Sequence, residues 1–279
     1  MDEALDLVDS CDGEAILLAG GTDVVVDINI GKLKPSNIVF LGNIGGISDI
    51  YADGEFTYIR AMATHDAAAS SSSLVGGLSL LSKASSKVGC PSIRNAGTVG
   101  GNVMRASPAA DATLALLALD AEARLLSSQN ERWVPLRSFF VGSGRTMVQS
   151  DEILFEMRIS NKIKGYQSCF LKQGRRKAMS LSVVNVAVCG QLKNNVVSDI
   201  RIALGAVGPT PMRIERAEAM LEGREISSNV VKEAAEIAAE EIKPISDGRA
   251  SAWYRREVSR VLVERALRQA FLISETETT

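Results

Sequence analysis

Ala4, Leu5 and Val8 recur on one face of a 3.6-residue period, with Asp2, Glu3, Asp6 and Asp9 between them. That pattern predicts an opening helix over 2–10. The apolar run 15–19 predicts a short strand, which is interrupted at Gly20-Gly21-Thr22-Asp23 before a strand-like Val24-Val25-Val26 resumes. Residues 37–44 predict a further strand. Within 47–64, Asp53-Gly54 separates two β-rich runs, the signature of a hairpin. Leu78, Leu81 and Ala84 keep helical step within 74–89. Residues 110–127 read as a helix and then a strand, and 132–142 as a strand running into a loop.

After Gly142 the texture changes. Four strands are predicted in succession, over 151–160, 165–174, 181–192 and 197–208, with Asn194-Asn195 as a tight turn between the last two. Three amphipathic helices follow over 213–223, 229–242 and 253–272. Strands first and helices after argue for an α+β arrangement. A boundary near residue 160 would divide a mixed first part, 1–160, from a meander sheet backed by helices, 161–274. The polar residues 274–279 predict a frayed end.

Composition narrows the classes. The 279 residues suffice for one large or two ordinary domains, and a hydrophobic share of 46% with 23% charged is usual for a globular protein. A net charge of −2 lacks the basic excess of a nucleic-acid surface. No apolar run approaches the roughly 18 residues a membrane span needs. The acidic start is unlike a signal peptide, so the expected location is the cytoplasm. Cys11, Cys90, Cys169 and Cys189 stand far apart with no CxxC pair, which argues against a zinc or local iron–sulfur site. His65 is the single histidine, so acid–base or metal chemistry has little to work with. Redox or group-transfer chemistry here would require an organic cofactor.

Two glycine loops stand out. Glycine costs roughly 0.5–1 kcal/mol in a strand interior, so Gly20-Gly21 inside an apolar run asks for a reason. The second loop, 93–111, again sets a hydroxyl and an amide beside a glycine pair: Thr98, Gly100-Gly101 and Asn102. Glycine permits positive φ, so successive N–H groups can point into one anion-binding concavity. Two such loops facing each other could hold a diphosphate. Neither GxGxxG nor GxxxxGK[ST] occurs, which removes the common nucleotide signatures.

The segments Leu-Leu-Ala-Gly-Gly-Thr-Asp at 17–23, Ile-Arg-Asn-Ala-Gly-Thr-Val-Gly-Gly-Asn at 93–102 with Ala-Ser-Pro-Ala-Ala-Asp at 106–111, and Phe-Leu-Lys-Gln-Gly-Arg-Arg at 170–176 occur in order. In this set, and in the closing stretch 245–267, the chain resembles the FAD-binding medium subunits of molybdenum hydroxylases. That family includes the carbon monoxide dehydrogenase flavoprotein subunit and the xanthine dehydrogenase FAD domain. The resemblance covers essentially the whole chain. It implies a vanillyl-alcohol-oxidase-type (PCMH-type) FAD-binding domain of two α/β subdomains, plus a C-terminal α+β domain with a small antiparallel sheet and helices.

It also implies roles. Leu17, Leu18, Ala19, Gly20, Gly21, Thr22, Asp23 and Val24 would wrap the diphosphate and ribityl portion of FAD, with the N–H groups of 19–22 as donors. Thr98, Gly100, Gly101 and Asn102 would hold the diphosphate from the other side, with Met104 and Ala110 alongside. Asp111 would accept from ribose hydroxyls, Leu154 would touch the cofactor, and the charge of Lys172 would favour reduced flavin. No catalytic acid or base and no metal ligand is assigned. The implied partners are a [2Fe–2S] subunit and a molybdenum-cofactor subunit, in a heterotrimer or its dimer, with NAD, a quinone or oxygen as electron acceptor.

Other readings stand beside these. Asp111 could be a helix N-cap, Leu154 a core leucine and Lys172 a solvated lysine. Arg255, Arg256, Arg260, Arg265 and Arg268 could be a solvated face or a partner contact. The chain could be a self-contained FAD oxidase, or a scaffold that has lost its flavin. The family implies an opening strand before the first helix, and the start at Met1-Asp2-Glu3 reads as a trimmed one or a misassigned initiator. Some relatives carry an inserted iron–sulfur cluster, for which no clustered cysteines are present, and Arg105 is bulky where smaller residues are common.

Overall fold

A computed structural model describes residues 1–11, 14–176 and 179–273. The end expected to fray, 274–279, lies outside the described residues. Helix α1, Asp2–Ser10, packs Ala4, Leu5 and Val8 against strands β1, Ala15–Leu18, and β2, Asn37–Phe40. β1 and β2 form a two-stranded parallel pair, with Ala15 opposite Asn37 and Leu18 opposite Phe40. Such a pair is marginal alone, and α1 supplies the cover on one face. Helix α2, Val24–Asn29, follows β1. The expected strand at Val24-Val25-Val26 is thus overturned. Gly21 turns the chain at φ +71°, and Val25 and Asp27 then bond back to the carbonyls of Gly21 and Asp23 at 3.0 and 2.9 Å. Tertiary anchoring of Asp27 overrides the β propensity of three valines.

The hairpin β3, Ile50–Asp53, and β4, Phe56–Arg60, turns at Gly54 with φ +56°. Four short helices follow: α3, His65–Ser70; α4, Ser79–Ser85; α5, Pro91–Ala96; and α6, Val99–Arg105. Only α4 was expected, and its first turn is a 3₁₀ helix at Gly76–Leu78. Helix α7, Asp111–Ala118, is buried at every residue. Its five-residue run 114–118 is apolar on every side and must be enclosed, and each buried leucine there contributes about 1.5–3 kcal/mol. β5, Glu122–Leu126, and β6, Glu131–Pro135, come next, and a small pair joins β7, Phe140–Gly142, to β8, Arg145–Thr146.

Strand β9, Ile153–Ser160, departs from the expected run of four. It inserts between β4 and β5 as the middle of a five-stranded antiparallel sheet ordered β3-β4-β9-β5-β6. The second sheet is β10, Gln167–Gly174; β11, Ser182–Lys193; β12, Val196–Gly205; and β13, Met212–Arg213, in that order. Asn194 and Asn195 both take positive φ, +49° and +65°, as a type I′ hairpin turn requires. Helices α8, Glu215–Leu221; α9, Ser228–Glu241; and α10, Ala252–Phe271, cover this sheet over one apolar cluster. The opposite side of the sheet packs on α7, so Ala187, Cys189 and Ala203 belong to the same core as Leu114 and Leu125. Among the described residues, no helix is long and apolar enough to cross a membrane.

Arg255, read above as surface or partner contact, is instead buried. It donates to the carbonyls of Val183 and Ala206 at 2.7 Å and to Asp247 at 2.8 Å. Its helix starts after Ser251, and the guanidinium reaches back to tie α10 to β11.

Candidate functional site

A cleft of about 870 Å³ runs between the β1–α2 loop, the α5–α6 loop, the start of α7 and the rim of the second sheet. It collects every residue assigned above to a cofactor except Leu18. Side chains alternate along a strand, so Leu17 faces the cleft and Leu18 turns away. The volume lies toward the upper end of ordinary ligand clefts, roughly 300–1,000 Å³.

The two glycine loops touch. A Cβ on Gly20 would lie 1.7 Å from the carbonyl oxygen of Ala96, at the end of α5. One on Gly100 would lie 2.5 Å from the carbonyl oxygen of Ala61. These glycines are bare because protein backbone occupies the space. Gly101 differs: it is exposed, and its Cβ would meet only the Thr98 hydroxyl, at 2.8 Å. The seam between the loops is therefore closed by Gly20 against Ala96, Gly100 packs on Ala61 after β4, and Gly101 presents open surface to the cleft.

The seam carries donors without partners. Among the described residues the N–H groups of Gly20, Gly21, Thr22 and Asp23 donate to nothing in the chain. Asn102 is fixed by its oxygen, which accepts from the Thr113 N–H at 3.1 Å and hydroxyl at 2.9 Å. Its amide nitrogen is left free to donate into the cleft. Thr98 is the α6 N-cap, its hydroxyl accepting from the Gly101 N–H at 3.0 Å. Backbone donors left unpaired need water or a ligand, and a concave run of them suits an anion. The donor set fits a diphosphate.

The carboxylates of the cleft are largely neutralised. Asp111 is not an N-cap; Ala110 takes that position. Asp111 accepts from Ser182 at 2.6 Å and Asn185 at 2.7 Å on one oxygen, and from Lys172 at 2.5 Å on the other. Burial raises its pKa, and Lys172, Ser182 and Asn185 oppose the rise. Lys172 also donates to the Lys87 carbonyl at 3.0 Å, so its charge is spent on Asp111 at the cleft wall. Glu152 is clasped by Arg132 at 2.6 and 2.8 Å, which lowers its pKa. Arg105 donates to Asp27 at 2.8 Å and lies 3.7 Å from Asp23, tying α6 to α2. The Arg105 hydrogen bond holds Asp27 below the usual carboxylate range.

Apolar wall is supplied by Leu17, Met104, Ala110 and Leu154, the last buried in β9 at 3% exposure. Sequence reasoning left out His65, Cys90, Ile93, Leu181 and Arg249, which also line the cleft. His65 gave no spacing signal, and Arg249 lies 138 residues from Asp111 in sequence. The Cys90 thiol sits 3.2 Å from the Ser92 hydroxyl, whose hydrogen bond lowers its pKa.

Residues 1–161 match the family described as the FAD binding domain in molybdopterin dehydrogenase, and residues 169–270 match the carbon monoxide dehydrogenase flavoprotein C-terminal domain. The carbon monoxide dehydrogenase medium chain of Hydrogenophaga pseudoflava is 29% identical, over 96% of this chain and 93% of that one. The xanthine dehydrogenase FAD-binding subunit of Escherichia coli O157:H7 is 28% identical, over 92% and 89%. A solved structure of the Hydrogenophaga pseudoflava carbon monoxide dehydrogenase superposes with a TM-score of 0.93 at 30% identity, covering 97% of this chain and 94% of that one. Quinoline 2-oxidoreductase of Pseudomonas putida 86 superposes with a TM-score of 0.90 at 26% identity, covering 97% and 93%. The seam of glycines, its unpaired donors and these matches converge: the chain belongs to the FAD-binding medium subunits of the molybdenum hydroxylases.

Proposed function

We propose that this chain carries electrons within a molybdenum hydroxylase complex, from a [2Fe–2S] subunit to an external acceptor such as NAD, a quinone or oxygen. Bound FAD supplies the redox chemistry, and the protein supplies binding, orientation and electrostatics. The observation that carries this reading is the pair of glycine loops meeting at one seam, with unpaired N–H groups at Gly20–Asp23 facing a cleft. In this reading the diphosphate lies on that seam, held by the 20–23 backbone and the Asn102 amide. Leu17, Ala19, Val24, Met104, Ala110 and Leu154 shield the rest of the dinucleotide from water. Asp111 and Lys172 act as a neutral pair that shapes the wall. The proposed division falls at 1–160 and 161–274, with both glycine loops in the first part and Lys172, Leu181 and Arg249 of the second at the cleft's edge, and the cytoplasm is the proposed location.

No described side chain needs to exchange protons with an organic substrate, because that substrate is turned over on the molybdenum subunit. The name carbon monoxide dehydrogenase medium chain places such a chain among several in its enzyme, and the partners proposed here follow from that. Anaerobic stopped-flow on the complex reassembled with its iron–sulfur and molybdenum subunits tests the reading. Substrate should bleach the flavin only when all three are present, and the acceptor should restore it. Bleaching by substrate with this chain alone would establish the self-contained oxidase instead.

A further inference from the structure

We infer that His65 is a binding residue of the cleft: its Nε2–H donates to a diphosphate oxygen at the seam of the two glycine loops. The inference rests on the placement of the diphosphate proposed above. His65 opens α3 directly after the cap residue Thr64, and its N–H donates to the Gly97 carbonyl at 3.0 Å. The ring is pinned against the second loop. Its Cδ2 lies 3.4 Å from where a Gly97 Cβ would stand, and the Thr22 hydroxyl lies 3.3 Å from the same point. The imidazole therefore sits where the two loops meet, and it lines the cleft.

Three observations about the ring point to a ligand. It is 97% buried, at 3% exposure. Its Nδ1 is sealed from solvent with no hydrogen-bond partner among the described residues, whereas Nε2 is not among the sealed unpaired atoms and is the nitrogen a ligand can reach. Buried polar groups are nearly always paired, and with Nδ1 closed off the ring can gain a partner only through Nε2. Burial, and then the charge of Arg94, pushes its pKa down to about 4, so it is neutral near pH 7 with one N–H and one lone pair. An orphaned acceptor is tolerated better than an orphaned N–H. The lone pair therefore belongs on sealed Nδ1 and the proton on Nε2. The free N–H groups of the first loop and the Asn102 amide border the same space, and an anionic oxygen there would complete all of them.

The test is titration of FAD and of ADP into the flavin-free chain, by fluorescence for FAD and by calorimetry for ADP, with H65L and H65Q. Glutamine places an amide donor close to where Nε2 stands, and leucine fills the space without one. H65L should weaken both ligands about tenfold, the worth of one hydrogen bond. H65Q should stay within about threefold of the parent, and neither variant should lower the melting temperature of the flavin-free chain. Equal affinity of H65L and parent would overturn the role of His65 while leaving the cleft intact. Weakening of FAD without weakening of ADP would move the contact off the diphosphate and also overturn it. Equal loss in both variants, with a lower melting temperature, would make the ring a packing element. A parent chain that binds neither ligand would overturn the placement itself.

Discussion

At the scale of single residues, space and charge can be separated by substitution. G20A drives a methyl into the Ala96 carbonyl, 1.7 Å from the ideal Cβ, and backbone cannot yield as a side chain can. It should cost about 1–3 kcal/mol in urea unfolding and also weaken FAD. G101A meets only the Thr98 hydroxyl, 2.8 Å away, and disturbs at most that N-cap, so it should cost about 1 kcal/mol, less than G20A. Equal effects of the two would show that the seam is not built as described. A second pair probes the cleft wall. K172M leaves the Asp111 carboxylate buried with two neutral donors, and breaking such a pair costs about 3 kcal/mol. D111N should cost less, because the Lys172 side chain is 12% exposed and can turn to solvent. If D111N proves the more damaging, the cost lies in the Ser182 and Asn185 contacts rather than in the ion pair.

At the scale of elements, α10 shows what a stretch of basic residues conceals. Its arginines read as a polar face, yet Arg255 is the buried clamp from α10 to β11 and to Ala206 just past β12. Asp247 receives the N–H groups of Arg249 and Ala250 and the Arg255 guanidinium, with the Arg249 N–H the largest influence, and its pKa falls to about 2. The ordinary value is about 3.9. A carboxylate lowered on folding stabilises the fold above its unfolded pKa and ceases to do so as pH falls through the folded value. D247N should therefore be less stable than the parent at pH 7, and the gap should close between about pH 4 and pH 2. Urea midpoints across that range check it; a gap that persists at pH 2 would assign the effect to packing.

Elements also show where sequence reading succeeds. Long periodic segments such as α1, α9, α10, β11 and β12 were legible because one face of each must meet the core. The short helices α2, α3, α5 and α6 were not, since pieces of six or seven residues are held by tertiary bonds more than by local preference. β9 was legible as a strand, but its place between β4 and β5 was not, because pairing over such separations leaves no local mark. The glycine loops were visible, but the reason for Gly20 was not: the carbonyl it admits belongs to Ala96, far along the chain. His65 was silent for the same reason.

At the scale of the whole molecule, a cleft lined by elements from residue 8 to residue 249 makes ligand and fold interdependent. A ligand that binds only the folded chain adds about 2.7 kcal/mol of stability at one hundred times its Kd. The cleft is proposed to hold FAD by its diphosphate on the glycine seam. The most direct measurement is the visible absorption spectrum of the purified chain, before and after adding FAD, with the acid-released cofactor identified by chromatography. The account predicts flavin bands at one equivalent per chain and intact FAD in the supernatant after acid. A folded chain that stays colourless and takes up no added FAD would contradict it.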